Sequence, residues 1–389
     1  MDKDTFSKVS AIALNNVFGY EPRISRNIIK TLGSAEAVFQ LPQEERMRLF
    51  GGYVKNLSFI NDSSLEDAER LYSKLLRDGC MVCSICDPDY PALLKDCEDA
   101  PAVLYMRSCS SAAEVFGRED NVSVVGTRDI SPYGTEWCQR IVQAFAETPR
   151  KPLVVSGLAI GVDICAHRTA LDMGLPTVAV LPVGINSVYP LRHRRDAERI
   201  ASTPGCALVT DYPPGTAPTQ FNFLRRNRII AGLSRATVLV ESKIKGGGTM
   251  TARLAAGYGR DVFALPGRID DVRSAGCNRL INEKLAESFD NLSILCEGLG
   301  LGQWQRRRSS DLLTEICSHF KESLCQEEID ALCLVAMEIK KERGISIEEI
   351  CRRTDMNYAG ISTLTGLLEA DGFISIDLFG NCAINTRNC

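Results

Sequence analysis

The sequence lacks the usual signs of secretion, membrane insertion and cofactor chemistry. Its opening MDKDTFSK carries no apolar h-region, so no signal peptide is expected. No apolar run reaches the roughly 18 residues that span a bilayer, which predicts a cytoplasmic protein without a membrane span. Sixteen cysteines in 389 residues then read as reduced thiols, not as a disulfide framework. Cys80, Cys83 and Cys86 have CxxC spacing but fall on an expected strand. Alternating faces would not converge them on one ion, so no metal is expected. Histidine is scarce, with three in the chain. His167 lies in a helical pattern and His193 in the basic run Arg192–Arg195, and neither has a Ser/His/Asp or paired-carboxylate constellation around it. No glycine-rich turn has GxGxxG or Walker A spacing, so no nucleotide cofactor is expected.

What is present is a charge asymmetry. The net charge is −4, yet Asn121–Leu280 holds 20 Lys+Arg against 12 Asp+Glu, and the remainder holds 25 against 37. A basic middle in an acidic chain suits a phosphate-bearing partner, although one solvated basic face would give the same count.

The pattern divides the chain into three parts and a linker. Residues 1–76 show short helical stretches broken by Gly19, Gly33 and Gly51-Gly52, as in a small helical domain of the helix-hairpin-helix or SAM type. In 77–296 β-branched runs such as Val122–Val125, Leu153–Val155, Thr177–Leu181 and Thr237–Val240 alternate with helical patterns. That alternation predicts an α/β domain, a parallel sheet covered by helices on both faces, with ligands outside the carboxyl ends of its strands. The Gly- and Arg-rich stretch 297–310 reads as a linker. Residues 311–389 give helices and then a hairpin pattern turning at Gly380-Asn381, which predicts a winged-helix domain.

Four post-strand loops carry the functional signal. Val125-Gly126-Thr127-Arg128 places a hydroxyl and a guanidinium at a strand end, a pairing that suits phosphate. Ser156-Gly157-Leu158-Ala159-Ile160-Gly161-Val162-Asp163 leads small residues into a helix N-terminus, with Asp163 expected as its cap. In Phe223-Leu224-Arg225-Arg226-Asn227-Arg228 three arginines are expected to open a helix, against its macrodipole, beside an aromatic ring able to stack a base. The bland alternatives are a core Phe223 and an arginine in an internal ion pair. Lys243 and Lys245 flank Gly246-Gly247-Gly248-Thr249, an anion nest at a helix start.

In this order the segments VGTR (Val125–Arg128), SGLAIGVD (Ser156–Asp163), VGINSVYP (Val183–Pro190), FLRRNRIIAGLS (Phe223–Ser234), GGGTMTA (Gly246–Ala252), ALPG (Ala264–Gly267) and GCNRLI (Gly276–Ile281) resemble the DprA/Smf family of DNA-processing proteins. The resemblance covers about 200 residues from Asp87 and implies a Rossmann-like domain that binds single-stranded DNA without being an enzyme. It also implies homodimerisation, loading of RecA recombinase onto DNA coated by single-strand-binding protein, and a role in recombination and natural transformation. By position it assigns Arg128, Ser156, Gly157, Phe223, Arg226, Asn227 and Gly247 to the DNA-binding pocket, and Arg225, Lys245 and Thr249 are expected to bind DNA beside them. Two positions depart from many relatives: Gln220 stands where they have Lys, and Gly246-Gly247-Gly248 where they have SGS. Arg225 and Lys245 are the neighbours able to supply the missing charge.

Two rival readings are weaker. The GGGT loop also resembles that of nucleoside-monophosphate phosphoribohydrolases, but their catalytic Glu would fall at Ala252 and no Pro precedes the glycines. A duplex-DNA regulator would carry base-reading cations on its recognition helix, and Asn357–Asp371 has no Lys or Arg.

Overall fold

The computed structural model describes residues 2–52, 56–304, 312–321, 323–342, 344–377 and 380–384. Two compact units divide the chain, Met1–Gln305 and Arg306–Cys389.

The first unit is a mixed α/β structure around a nine-stranded, mostly parallel sheet. Its strands are β1 (Met81–Ser84), β2 (Val103–Arg107), β3 (Asn121–Val125), β4 (Leu153–Ser156), β5 (Thr177–Val180), β6 (Ala207–Thr210), β7 (Ala236–Leu239), β8 (Asp261–Ala264) and β9 (Glu287–Ser288), in the order β1-β2-β6-β5-β4-β3-β7-β8-β9. From β6 through β9 every pairing is parallel, and β1 and β2 close one side antiparallel.

Chain alternation builds the two faces. Val122 and Val124 of β3, Val154 of β4 and Val238 of β7 pack with Cys138, Ile141 and Phe145 of the helix Pro132–Glu147. Val125, Val155 and Leu239 point to the opposite face, onto Ile229 and Ile230 of the helix Gln220–Gly232 and Ala252 and Ala255 of the helix Gly247–Gly257. Both faces are covered, so β3, β4, β5, β6 and β7 are buried at every residue and read as unbroken apolar runs with small polar residues.

The N-terminal residues form helices, of which Lys3–Phe18, Pro22–Leu32 and Asp62–Arg77 are the longest. Leu14 and Phe18 of the first join one sheet-face core, and Val9 and Ile12 join a separate cluster with Val103 and Tyr105 of β2.

The start of the stretch expected as linker is packed. Glu297 and Gly298 end the helix Leu292–Gly298, and Leu299 and Leu301 are buried with Phe289 and Leu295, because alternating leucines there find the sheet-face core. Its basic part, 305–310, lies outside the described residues.

The second unit has helices Leu312–Phe320, Gln326–Lys341, Ile347–Thr354 and Tyr358–Ala370 around their own core. Strands β10 (Ile345–Ser346), β11 (Ile374–Ile376) and β12 (Asn381–Ile384) form a small antiparallel sheet with β12 in the middle. Gly380, at the expected turn, has φ +78°, and residues 378 and 379 of that turn lie outside the described residues.

Candidate nucleic-acid interface

Strand order fixes where the site must lie. The parallel sheet winds outward from β3 through β4, β5 and β6, then returns to β7 on the other flank of β3. Loops leaving β3 and β7 therefore run in opposite directions and leave a crevice at their carboxyl ends. A cavity of about 600 Å³ occupies that position. It is lined by Thr127 and Arg128 after β3, Ala159 and Asp163 after β4, and Lys243, Lys245 and the three glycines Gly246, Gly247 and Gly248 after β7, with the first turns of the helix Gln220–Gly232 as its wall.

Backbone bonds lock these loops together. The Thr127 N–H donates to the Glu241 carbonyl at 2.6 Å, and the Thr127 carbonyl accepts from the Val162 N–H at 3.2 Å. Gly161 permits this approach. Its φ is +87°, and a Cβ there would come within 2.2 Å of the Thr127 carbonyl oxygen. It also takes the cap position of the helix Val162–Asp172, so Asp163 lies inside the first turn and not at the cap. The Asp163 carboxylate accepts from the Ala159 N–H at 3.4 Å. Burial raises its pKa, against the opposing pull of Arg226.

The arginine-rich helix starts earlier than the sequence suggested. Thr219 caps it, its side chain accepting from the Asn222 N–H at 3.2 Å, and the helix runs from Gln220. Arg225, Arg226 and Arg228 therefore sit in its middle, where the macrodipole at the N-terminus has little say. Their facing decides what each one does.

Arg226 turns into the protein beneath the cavity floor and is 3% exposed. Its Nη1 donates to the Val180 carbonyl, while its buried Nε has no hydrogen-bond partner. Burial, and then the nearby Arg128, pull the guanidinium down to about 10, with Asp163 opposing. Gly157 makes room for it, since a Cβ there would lie 1.9 Å from Arg226 Nη1. Arg228 faces the other way and closes a buried ion pair with Asp211, while its Nη1 donates to the Asp99 carbonyl at 2.6 Å.

Phe223 is half-buried at the mouth. The Arg128 guanidinium lies over its ring at 4.6 Å, and the Tyr189 ring meets it edge-on at 5.3 Å. Asn227 ties the wall to the glycine-rich loop, its Nδ2 donating to the Gly247 carbonyl at 3.4 Å. Gly246, Gly247 and Gly248 line the cavity at the start of the helix Gly247–Gly257, where the first N–H groups have no intrahelical acceptor. Four cations, Arg128, Arg226, Lys243 and Lys245, thus line the cavity among the described residues, against the single carboxylate of Asp163.

Of the ten residues assigned from sequence, Arg128, Phe223, Arg226, Asn227, Lys245 and Gly247 come together on the cavity lining. The other four lie off it. Ser156 is fully buried and donates to the Val124 carbonyl at 2.7 Å, because it ends a strand inside the sheet. Gly157 stands behind Arg226. Thr249 is buried and fastens the loop through the Lys243 carbonyl, 2.8 Å away, and the Ser242 hydroxyl. Arg225 faces the opposite side of its helix, over the Tyr20 ring. Tyr189, Thr127 and Lys243 line the cavity but were not assigned. The position of Tyr189 after β5 in VGINSVYP was the one available sign of it.

The chain matches the DNA recombination-mediator protein A family over residues 81–300. It is 40% identical over 196 residues to protein Smf of Synechocystis, covering 50% of this chain and 48% of that protein. To DNA processing protein DprA of Streptococcus pneumoniae it is 37% identical over 200 residues, 51% of this chain and 68% of the relative. The match therefore spans about half the length of the Synechocystis protein. Among solved structures it is similar to the X-ray structure of Streptococcus pneumoniae DprA, with TM-score 0.62, 28% identity, and coverage of 76% of this chain and 99% of that one. A Helicobacter pylori DNA processing protein A structure, described for its single-stranded DNA binding mode, superposes with TM-score 0.50 at 26% identity over 57% of this chain and 95% of that one.

Proposed function

The chain belongs to the DNA recombination-mediator protein A family, and from that premise we propose that it binds single-stranded DNA at the β3/β7 crevice and helps load a RecA-type recombinase onto it. The function is binding, not catalysis. The observation that carries the reading is the cavity itself, in which four cations face one carboxylate and an Arg128–Phe223–Tyr189 cluster stands at the mouth. Cations track the phosphates, and aromatic rings stack bases without regard to sequence. Similarity to a protein described as binding single-stranded DNA supports the same choice of partner.

The rest of the proposal extends that core. A homodimer holding one strand in two cavities, with RecA docked beside it, would raise the local RecA concentration where a filament must nucleate. We read the second unit as a winged-helix module used for docking proteins, because its helix Tyr358–Ala370 carries no Lys or Arg. Its cations Arg352 and Arg353 are already paired with Glu349 and Glu342. The N-terminal helices are read as a helix-hairpin-helix or SAM-like module. These features suit a role in recombination and DNA uptake.

Fluorescence anisotropy with single-stranded, duplex and RNA oligonucleotides tests the core claim. Single-stranded DNA should bind best, and Arg128→Ala should weaken it by about 1.5–3 kcal/mol, the worth of a charge-assisted contact. It should also abolish any shortening of the RecA nucleation lag. Equal affinity for blunt duplex, or an unaffected Arg128→Ala, would sink the reading.

A further inference from the structure

Arg225 is the sequence-assigned cation that the cavity does not use. It lies on the far wall of the helix Gln220–Gly232, in a second hollow of about 590 Å³. That hollow is formed with Tyr20, between the helices Lys3–Phe18 and Pro22–Leu32, and with Phe221, Leu224 and Met250.

Two properties set this hollow apart from ordinary surface. Its rings are uncovered, Tyr20 being 60% exposed and Phe221 57% exposed, with centroids 6.1 Å apart. Beside them stands a cation without a counter-ion. The Arg225 guanidinium lies 4.7 Å from the Tyr20 ring and 5.7 Å from the Phe221 ring. It donates to the Gly19 carbonyl, its Nη1 is buried without a hydrogen-bond partner, and no carboxylate lies within 4 Å of it among the described residues. The other charges in the hollow are mostly occupied. Arg228 is paired with Asp211, Arg23 with Glu98, and the Asp99 carboxylate accepts from the Tyr258 hydroxyl, which leaves Glu21 at the rim. The hollow adjoins the first, because Leu224 lines both.

We propose that a single strand held in the cavity continues across this helix into the second hollow, where its next base stacks on Tyr20 and Phe221 and the adjoining phosphate meets Arg225. The inference rests on the reading of the cavity as a single-strand site. Two exposed rings flanking an unpaired arginine form a sequence-tolerant base platform. Consecutive arginines serve the two hollows because neighbouring residues on a helix lie about 100° apart, so Arg225 and Arg226 diverge around the axis. The N-terminal helices, through Tyr20, thereby lengthen the binding track.

The test is anisotropy of the full chain with oligo-dT of roughly four and roughly sixteen nucleotides, the range of site sizes known for single-strand surfaces. Tyr20→Ala and Phe221→Ala should each weaken the longer oligonucleotide about tenfold and leave the shorter one unchanged. Tyr20→Phe should restore wild-type affinity, and thermal melts should match wild type because both side chains are exposed. Wild-type affinity of both alanine variants for the longer oligonucleotide overturns the subsite while leaving the cavity reading intact. In that case a change in self-association by sedimentation would reassign the rings to a second copy of the chain. Equal losses for both lengths also overturn it, since the rings would then act on the cavity. If the wild-type chain binds neither oligonucleotide, the cavity reading fails and this inference fails with it.

Discussion

The two sides of the helix Gln220–Gly232 carry the same residue type and use it differently. On one side Arg228 is 6% exposed and neutralised by Asp211, which is 4% exposed. On the other, Arg226 is 3% exposed, makes no ion pair within 4 Å among the described residues, and lines a cavity. A buried charge with a partner is part of the fold. A buried charge without an ion pair has a desolvation cost that the more distant Asp163 offsets in part and an arriving anion would offset further. Residue type and burial therefore do not separate the two arginines, and the location of the counter-charge does.

The largest expected effect tests the structural side. Arg228→Ala should destabilise the protein by about 3–5 kcal/mol, because it strands the buried Asp211 carboxylate. Urea unfolding measures this, and the Arg228→Met, Asp211→Leu double variant should recover most of the loss. A stability change under about 1 kcal/mol would erase the distinction between the two arginines.

Arg226→Ala should do the reverse. It removes a charge that Asp163 offsets only from beyond ion-pair distance, so stability should change less than in Arg228→Ala, while single-strand affinity falls by about 1.5–3 kcal/mol. If the melting temperature drops as far as in the Arg228 variant, Arg226 is structural as well.

Acid pH sharpens the same point through a third residue. His167 is fully buried, hydrogen-bonded to the Thr177 hydroxyl at 2.7 Å, and held down to about 3, first by burial and then by the Arg226 charge. Its folded pKa lies below the ordinary 6.5, so its contribution is complete above pH 6.5 and is lost as pH falls toward 3. Wild-type stability should decline by about 1 kcal/mol per pH unit below 6.5 from this group. Arg226→Ala should shallow that decline by removing one of its causes, and His167→Gln should abolish it. Chemical denaturation at pH 7 and pH 5 reads the His167→Gln effect, denaturation between pH 5 and pH 3 reads the Arg226→Ala effect, and an unchanged acid limb in His167→Gln would refute the assignment.

The smallest effect concerns the cavity rim. Gln220 lines the cavity and is exposed. Gln220→Lys should tighten single-strand binding a few-fold and steepen the salt dependence by about 0.7 in log–log slope, one added phosphate contact. No change in slope would show that the strand does not pass over that residue.

Much of this was legible in the chain itself. Each β-branched run expected as a strand between Val122 and Leu265 is one, within a residue or two, because a strand buried on both faces must be apolar along its length. Three of the four loops were legible for the same local reason, as each glycine-rich turn follows such a run, whereas Phe223–Arg228 lies within a helix. The facing of the arginines was not legible. The expected start at the arginines overlooked Thr219 as a cap, and the resulting shift of several residues rotates every side chain around the axis. The structural roles of Ser156 and Thr249 were hidden too, since their partners, the Val124 and Lys243 carbonyls, are brought to them by strand pairing and loop closure.

The sequence alone determined the strand–helix alternation, the rim on which the glycine-rich loops emerge, and the basic character of that region. Those properties depend on hydrophobic periodicity and net charge, which are written locally. Tertiary structure decided which of Arg225, Arg226 and Arg228 meets the cavity, which meets Asp211 and which meets Tyr20. Their surroundings come from segments as distant in sequence as Tyr20 and Lys245, and only packing across the sheet places such segments around one helix.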